Sequence, residues 1–120
     1  MNFVTPNEAS AATAFVINGA NQTTPFGTVG SNTGASGTTL SGTCTGATDS
    51  LILSWGGWYD AVTPSAAESL TIPTYGISDG PYESVAMAYK NGAAGTINVG
   101  FTLSGAGGEW SIGGVAVLPV

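Results

Sequence analysis

Few residues of this chain could take part in chemistry, and the chain lacks a group that most classes of enzymatic reaction require. The 120-residue sequence contains no histidine, one cysteine and one lysine. A serine nucleophile needs a base to remove its proton, and a zinc site needs several histidine or cysteine ligands. Lys90 could serve a Ser–Lys dyad or a phosphate loop, but it follows Tyr89 at a predicted strand end, where a solvated charge is expected. The sequence therefore predicts no hydrolytic triad, zinc site or phosphate loop.

Carboxylates leave two further kinds of site to consider. A glycosidase needs two acids at a set separation, and Asp60, Glu68, Asp79 and Glu83 are the candidates for such a pair. Asp60 and Asp79 lie in predicted loops, where they could bind calcium together with backbone carbonyls. The spacing of the four acids does not favour a catalytic pair, and no ligand-rich loop pattern surrounds Asp60 or Asp79. Acids in such positions are ordinary turn residues. We therefore predict no catalytic residue, no metal site and no cofactor, so the chain is not expected to be an enzyme.

Aromatic side chains form the second group with binding potential. Trp58, Tyr59, Tyr75 and Tyr82 could form a sugar-stacking platform in loops at one end of a β structure. The alternative, which we favour, is that Trp55 belongs to the core, while Trp58 and Tyr59 cap it or contact a neighbouring subunit. Aromatic residues are enriched both in cores and in protein interfaces, so the residue types alone do not separate these interpretations.

Charge is scarce on this chain, which limits its partners. Charged residues make up 7 % of the sequence and the net charge is −6, whereas an ordinary soluble domain has about 25 % charged residues. One lysine cannot neutralise several phosphates, so nucleic acid is not an expected partner. The surface must consist of serine, threonine, asparagine and glycine. Such a surface indicates either symmetric assembly or a secreted-type composition without further meaning. Cys44 is alone, so it is expected to be a small buried apolar residue.

The first ten residues have no periodicity and are expected to form an extended arm. Phe3, Val4 and Pro6 are the candidates in this arm for contact with a larger surface. The segment lacks the basic and apolar regions of a signal peptide, and no apolar stretch approaches the length of a membrane span. The chain therefore combines an extracellular type of surface with the lack of a secretion signal. This combination is found in virus particles released by lysis.

The elements that must position these residues are β-strands. Residues 96–104 alternate between apolar and polar side chains, which is the pattern of a half-buried strand. Residues 110–118 are apolar on both faces, which predicts a central strand or one whose outer face meets another subunit. Residues 19–37 are predicted to be a long loop with at most a short strand. The other predicted strands cover residues 11–18, 38–45, 49–58, 70–72 and 83–90.

Turns every 8–12 residues make this an all-β chain with about seven or eight short strands. Such spacing is expected of an antiparallel β-sandwich or barrel. We predict one β-sandwich domain over residues 11–120, preceded by the arm at residues 1–10.

Four short motifs in order carry a resemblance to a known group of proteins: NQTTPFG at 21–27, DSLIL at 49–53, TLS at 102–104 and WSIGGV at 110–115. They resemble β-sandwich modules of bacterial surface proteins and bacteriophage structural proteins, over roughly the last hundred residues. The resemblance implies a jelly-roll-like sandwich used for assembly, display or attachment, without catalytic residues. A small stand-alone sandwich with an extended arm looks most like a phage capsid decoration (cement) protein, commonly a trimer.

The function expected from the sequence is therefore that of a virion structural protein. It would bind the major capsid protein or another virion shell as a homo-oligomer, and would lie on the virion surface after synthesis in the host cytoplasm. Two alternatives remain: a glycan-binding module of a tail fibre or bacterial surface, and a subunit of an extracellular fibre. No membrane is expected among the partners.

Overall fold

The computed structural model of the chain describes residues 16–67, 70–73, 77–79 and 83–120. In these residues the chain is all-β, as predicted, and every strand pairing is antiparallel. The strands are β1 (Phe26–Gly34), β2 (Gly37–Trp58), β3 (Pro64–Ala66), β4 (Ile77–Asp79), β5 (Ser84–Gly107) and β6 (Trp110–Val117). They form one sheet in the order β1-β6-β2-β5-β3, and β4 pairs with β5. The predicted arm at residues 1–10 lies outside the described residues.

Two long strands organise the sheet. β2 and β5 have 22 and 24 residues and pair from Gly37↔Gly107 to Trp58↔Ser84. The register is interrupted between Gly46 and Ser50. Near this interruption Asp49, Gly92 and Gly95 have positive φ values of 62°, 68° and 79°, which mark an irregular backbone in both strands. The long pair therefore consists of two halves, residues 37–46 with 95–107 and residues 50–58 with 84–93.

The number of strands differs from the prediction because the turn signals do not end the strands. Six strands lie in the described part of the chain, in place of about seven or eight short ones. The strands predicted at 38–45 and 49–58 are two halves of β2, and those predicted at 83–90 and 96–104 are two halves of β5. Asn91-Gly92 is a dipeptide typical of a chain reversal, but pairing with β2 continues on both sides of it.

β1 lies where a loop was predicted, so that prediction was wrong. Its nine residues pair with β6 from Phe26↔Val117 to Gly34↔Trp110. Glycine, serine, threonine and asparagine dominate β1, and such residues carry no alternating apolar pattern. A neighbouring strand with free hydrogen-bonding groups makes this segment a strand, which is a tertiary effect that local sequence does not encode. The first predicted strand is also not seen where it is described, since residues 16–18 are not in a strand.

Both halves of the long strand pair and β6 contribute residues to the core. Val99 and Phe101 of β5 lie against Gly114 of β6 and Gly56 of β2, at positions where added Cβ atoms would meet their side chains. The rings of Trp58 and Phe101 are 6.1 Å apart between centroids and inclined by 44°, an arrangement that adds to simple burial. The buried members of this core are Leu40, Cys44, Ile52, Trp58, Leu70, Ala86, Ala88, Val99, Phe101, Leu103, Ile112 and Ala116.

β6 is a central strand, as its apolar faces predicted. It pairs with β1 on one side and with the second half of β2 on the other. Ile112 and Ala116 join the core, whereas Val115 and Val117 belong to a second, smaller apolar cluster. Because successive side chains of a strand alternate between faces, this second cluster lies on the side of the sheet that points away from the core.

Candidate functional site

The side of the sheet that points away from the core is itself strongly apolar. In β2, Leu51, Leu53 and Trp55 alternate with Ile52 and Ser54, both of which are buried. The register places Val117 beside Leu51 and Val115 beside Leu53. We call this surface the outer face. Its residues are Phe26, Val29, Leu51, Leu53, Trp55, Met87, Tyr89, Val115 and Val117.

Part of the outer face is covered within the chain. Leu53, Val115 and Val117 are nearly buried, and Ile17 and Ala20 are among the residues that pack against them. The backbone of residues 19–25 runs beside the end of the chain, where the Asn21 amide donates to the Leu118 carbonyl at 2.9 Å and the Leu118 amide donates to the Pro25 carbonyl at 2.8 Å. This segment protects the cluster from water on one side.

The rest of the outer face is open to solvent. Phe26 and Val29 of β1 are 60 % and 61 % exposed, and Trp55 is 45 % exposed. The Trp55 indole lies directly over Gly113, where a Cβ atom would collide with the ring. None of the nine residues of the outer face carries a carboxylate or an amine. An apolar surface of this kind is typical of a protein–protein contact.

The structure reverses the expected places of two tryptophans. Trp58 is 1 % exposed and packs in the core, so its ring faces are not available for sugar stacking or for a subunit contact. Trp55, for which we favoured a place in the core, lies on the outer face. Tyr59 directly follows β2 and is 50 % exposed, as a contact residue requires. The remaining candidates lie outside the described residues: Phe3, Val4, Pro6, Tyr75 and Tyr82.

A groove of about 600 Å³ lies at the end of the sheet where β2 ends and β6 begins. We call it the end groove. Its lining includes Trp58, Tyr59, Glu83, Glu109 and Trp110. Backbone hydrogen bonds hold this region together, since the Tyr59 amide donates to the Glu109 carbonyl at 2.9 Å and the Gly108 amide donates to the Tyr59 carbonyl at 2.9 Å. The walls of the groove belong to β1, β2 and β6.

Of the four acids considered for catalysis or calcium, two have side chains that the structure describes. Asp60 and Glu83 are described and exposed, and the Ser84 hydroxyl donates to the Asp60 carbonyl at 3.2 Å. Glu68 and the side chain of Asp79 lie outside the description. Among the residues that the structure covers, no three potential metal ligands lie close together.

Cys44 is buried in the core, and this burial raises the pKa of its thiol. The unfolded thiol therefore ionises first, from roughly pH 8.5. We expect the contribution of this thiol to the free energy of unfolding to be constant below this pH and to fall above it, by at most about 1.4 kcal/mol per pH unit, until the folded thiol also ionises. Urea titrations of the protein and of Cys44→Ala at increasing pH check this. A parallel pH dependence in the two proteins would contradict it.

Within the described ranges, no helix has the length and apolarity needed to cross a membrane. No family model, curated protein or solved structure matches the chain. Its function is therefore inferred from the outer face, the end groove and the composition of the surface.

Proposed function

We propose that this chain is a non-enzymatic structural protein of a virion: a capsid decoration (cement) protein that binds and stabilises the outside of a phage head as a homo-oligomer, a trimer. The observation that carries this proposal is the outer face. A chain with so few charges presents Phe26, Val29 and Trp55 to water on one side of its sheet. Association that covers these side chains is favourable, by about 25 cal/mol for each Å² of apolar surface removed from water.

The charge distribution supports contact between copies of the chain. The net charge is −6, so two copies repel one another at long range, and salt at physiological concentration screens that repulsion beyond about 8 Å. The outer face has no charged side chain that would have to be desolvated or paired when it is covered. Its contact with a second copy therefore carries the benefit of apolar burial without the cost of burying charge.

The two halves of the long strand pair support a finer proposal about architecture. We propose that they are the two layers of a jelly-roll-like β-sandwich. Residues 50–58 and 84–93, with β1 and β6, would form one layer, and residues 37–46 and 95–107 the other. The contacts of Val99 and Phe101 across the core support this arrangement, which is also the one implied by the resemblance to phage structural proteins.

In the proposed assembly, the outer face joins the copies and residues 1–10 bind the shell. Phe3, Val4 and Pro6 would contact the major capsid protein, which places the chain on the virion surface. We expect deletion of residues 1–10 to abolish binding to heads of the source phage without unfolding the chain. Co-sedimentation with heads measures binding, and circular dichroism of the deleted chain serves as the control. Undiminished co-sedimentation would contradict the assigned role of these residues.

The proposed function is tested by mass and by binding. Light scattering during size-exclusion chromatography should give a closed oligomer of three chains, and addition of the protein should raise the melting temperature of purified heads. Open-ended polymers would favour a fibre subunit, because contacts that do not close generate filaments. A monomer that neither co-sediments with heads nor stabilises them would overturn the proposal.

A further inference from the structure

The end groove combines groups that are far apart in sequence. Trp58 closes β2, Trp110 opens β6 and the two are direct partners in the ladder. Glu83 immediately precedes β5, whose first residue, Ser84, pairs with Trp58. Glu109 precedes β6 and is held to Tyr59 through the backbone. The ladder therefore places two carboxylates and a half-exposed tyrosine around one opening.

Among the described residues, two hydrogen-bond donors in the groove wall have no acceptor. Trp58 and Trp110 line the groove, and the indole Nε1 of each is buried without a hydrogen-bond partner. Trp58 is 1 % exposed, so it also has little access to bulk water. A buried N–H without an acceptor is costly and is rare in folded proteins. An oxygen atom that reaches this wall from the groove would satisfy a donor that the protein leaves unpaired.

We propose that the end groove binds a neutral carbohydrate. The Glu83 and Glu109 carboxylates accept hydrogen bonds from sugar hydroxyl groups and exclude anionic ligands, because no cationic side chain is among the lining residues. The Tyr59 ring packs against the apolar face of a sugar ring. The indole N–H groups of Trp58 and Trp110 are buried, so they donate to sugar oxygens once a small shift of the groove wall exposes them. The volume of about 600 Å³ lies within the range of small-ligand sites and suits a short oligosaccharide.

This site is independent of the outer face. Trp55 lies on the outer face and is not among the residues that line the end groove. The chain contains three tryptophans, so Trp55 is an internal reference for binding at Trp58 and Trp110. Loss of assembly through the outer face would leave the proposed sugar site intact, and failure of the sugar site would leave the assembly proposal intact.

The test is a titration of the isotope-labelled chain with cellohexaose, chitohexaose and maltohexaose at up to millimolar concentration, followed through the three indole N–H signals. The signals are assigned with single Trp→Phe variants. We expect at least one of these sugars to shift the Trp58 and Trp110 signals and to leave the Trp55 signal in place. For that sugar, Tyr59→Ala and Glu109→Gln should each weaken binding about tenfold, as expected when one charge-assisted or stacking contact is lost.

Asp49→Asn is the matched control, since it removes one carboxylate near the middle of β2, outside the lining of the end groove, and should not change the affinity. The proposal is overturned if none of the three sugars shifts the two signals, or if all three indole signals move together. It is also overturned if Tyr59→Ala and Glu109→Gln bind as well as the unaltered chain, or if calcium chloride alone reproduces the shifts.

Discussion

Replacement of Val29 with aspartate is expected to dissociate the proposed oligomer while leaving the chain folded. Val29 is 61 % exposed on β1 and is paired with Val115 of the outer face. In a single chain the new carboxylate would remain in water, so the fold loses little. In the oligomer it would be buried against apolar side chains without a partner, which costs several kcal/mol. The dissociation constant should rise about 100-fold or more.

The matched control is Thr96→Asp, which adds the same charge to an exposed strand position away from the outer face. Thr96 pairs with Thr45 in the half of the long strand pair that consists of residues 37–46 and 95–107. Light scattering at a series of protein concentrations, with circular dichroism for folding, distinguishes the two variants. Equal dissociation by both would indicate a general effect of net charge, and an oligomer unchanged by Val29→Asp would show that the outer face does not join the copies.

Some features of the fold could be predicted because they depend on alternation alone. Residues 96–104 alternate and residues 110–118 are apolar on both faces, and the structure places 96–104 in β5 and 110–117 in β6. The apolar faces of β6 correctly indicated a central strand. The side-chain pattern of these two segments is enough to indicate a strand, and their pairing in the sheet agrees with it.

Alternation could not show which side of a strand faces the core. In β2 both sets of side chains contain large apolar residues, with Leu53 and Trp55 on one face and Ile52 and Trp58 on the other. An alternating pattern assigns the side chains to two faces but does not show which face is buried. The inner face was decided by the partners across the core, such as Phe101, which lies against Trp58 and Gly56. The expected places of Trp55 and Trp58 were therefore reversed.

The end groove could not be predicted for a different reason. Its residues come from the ends of β1 and β2, from the start of β6 and from the residue before β5. Their proximity follows from the register Trp58↔Trp110 and Trp58↔Ser84. The register of β2 with its neighbours depends on pairing along the whole ladder, so no local motif predicts this site. Tyr59 is one of these residues that the sequence does indicate, because it follows Trp58 in a predicted loop.

Replacement of Gly100 with alanine is expected to cost more stability than any surface substitution proposed above. Gly100 has a φ of 131°, which is unfavourable for a residue with a side chain and costs about 1–3 kcal/mol. A Cβ atom there would also overlap the Leu40 carbonyl oxygen and lie 2.8 Å from its carbonyl carbon and 3.2 Å from the Ser41 Cα. A total loss of about 3 kcal/mol or more would lower the melting temperature by about 10 °C or more.

Gly95 provides the control that separates backbone strain from crowding, because it lies in the same strand with a φ of 79° and an added Cβ would meet nothing within 4 Å. Gly95→Ala should therefore cost about 1–2 kcal/mol, the strain of a left-handed residue alone. Thermal unfolding at one fixed protein concentration compares the two variants, since association also raises apparent stability. If both variants lose the same stability, contact of the added Cβ at residue 100 with the Leu40 carbonyl costs no measurable free energy. The close approach of β5 to β2 at Gly100 would then not contribute to the stability of the core.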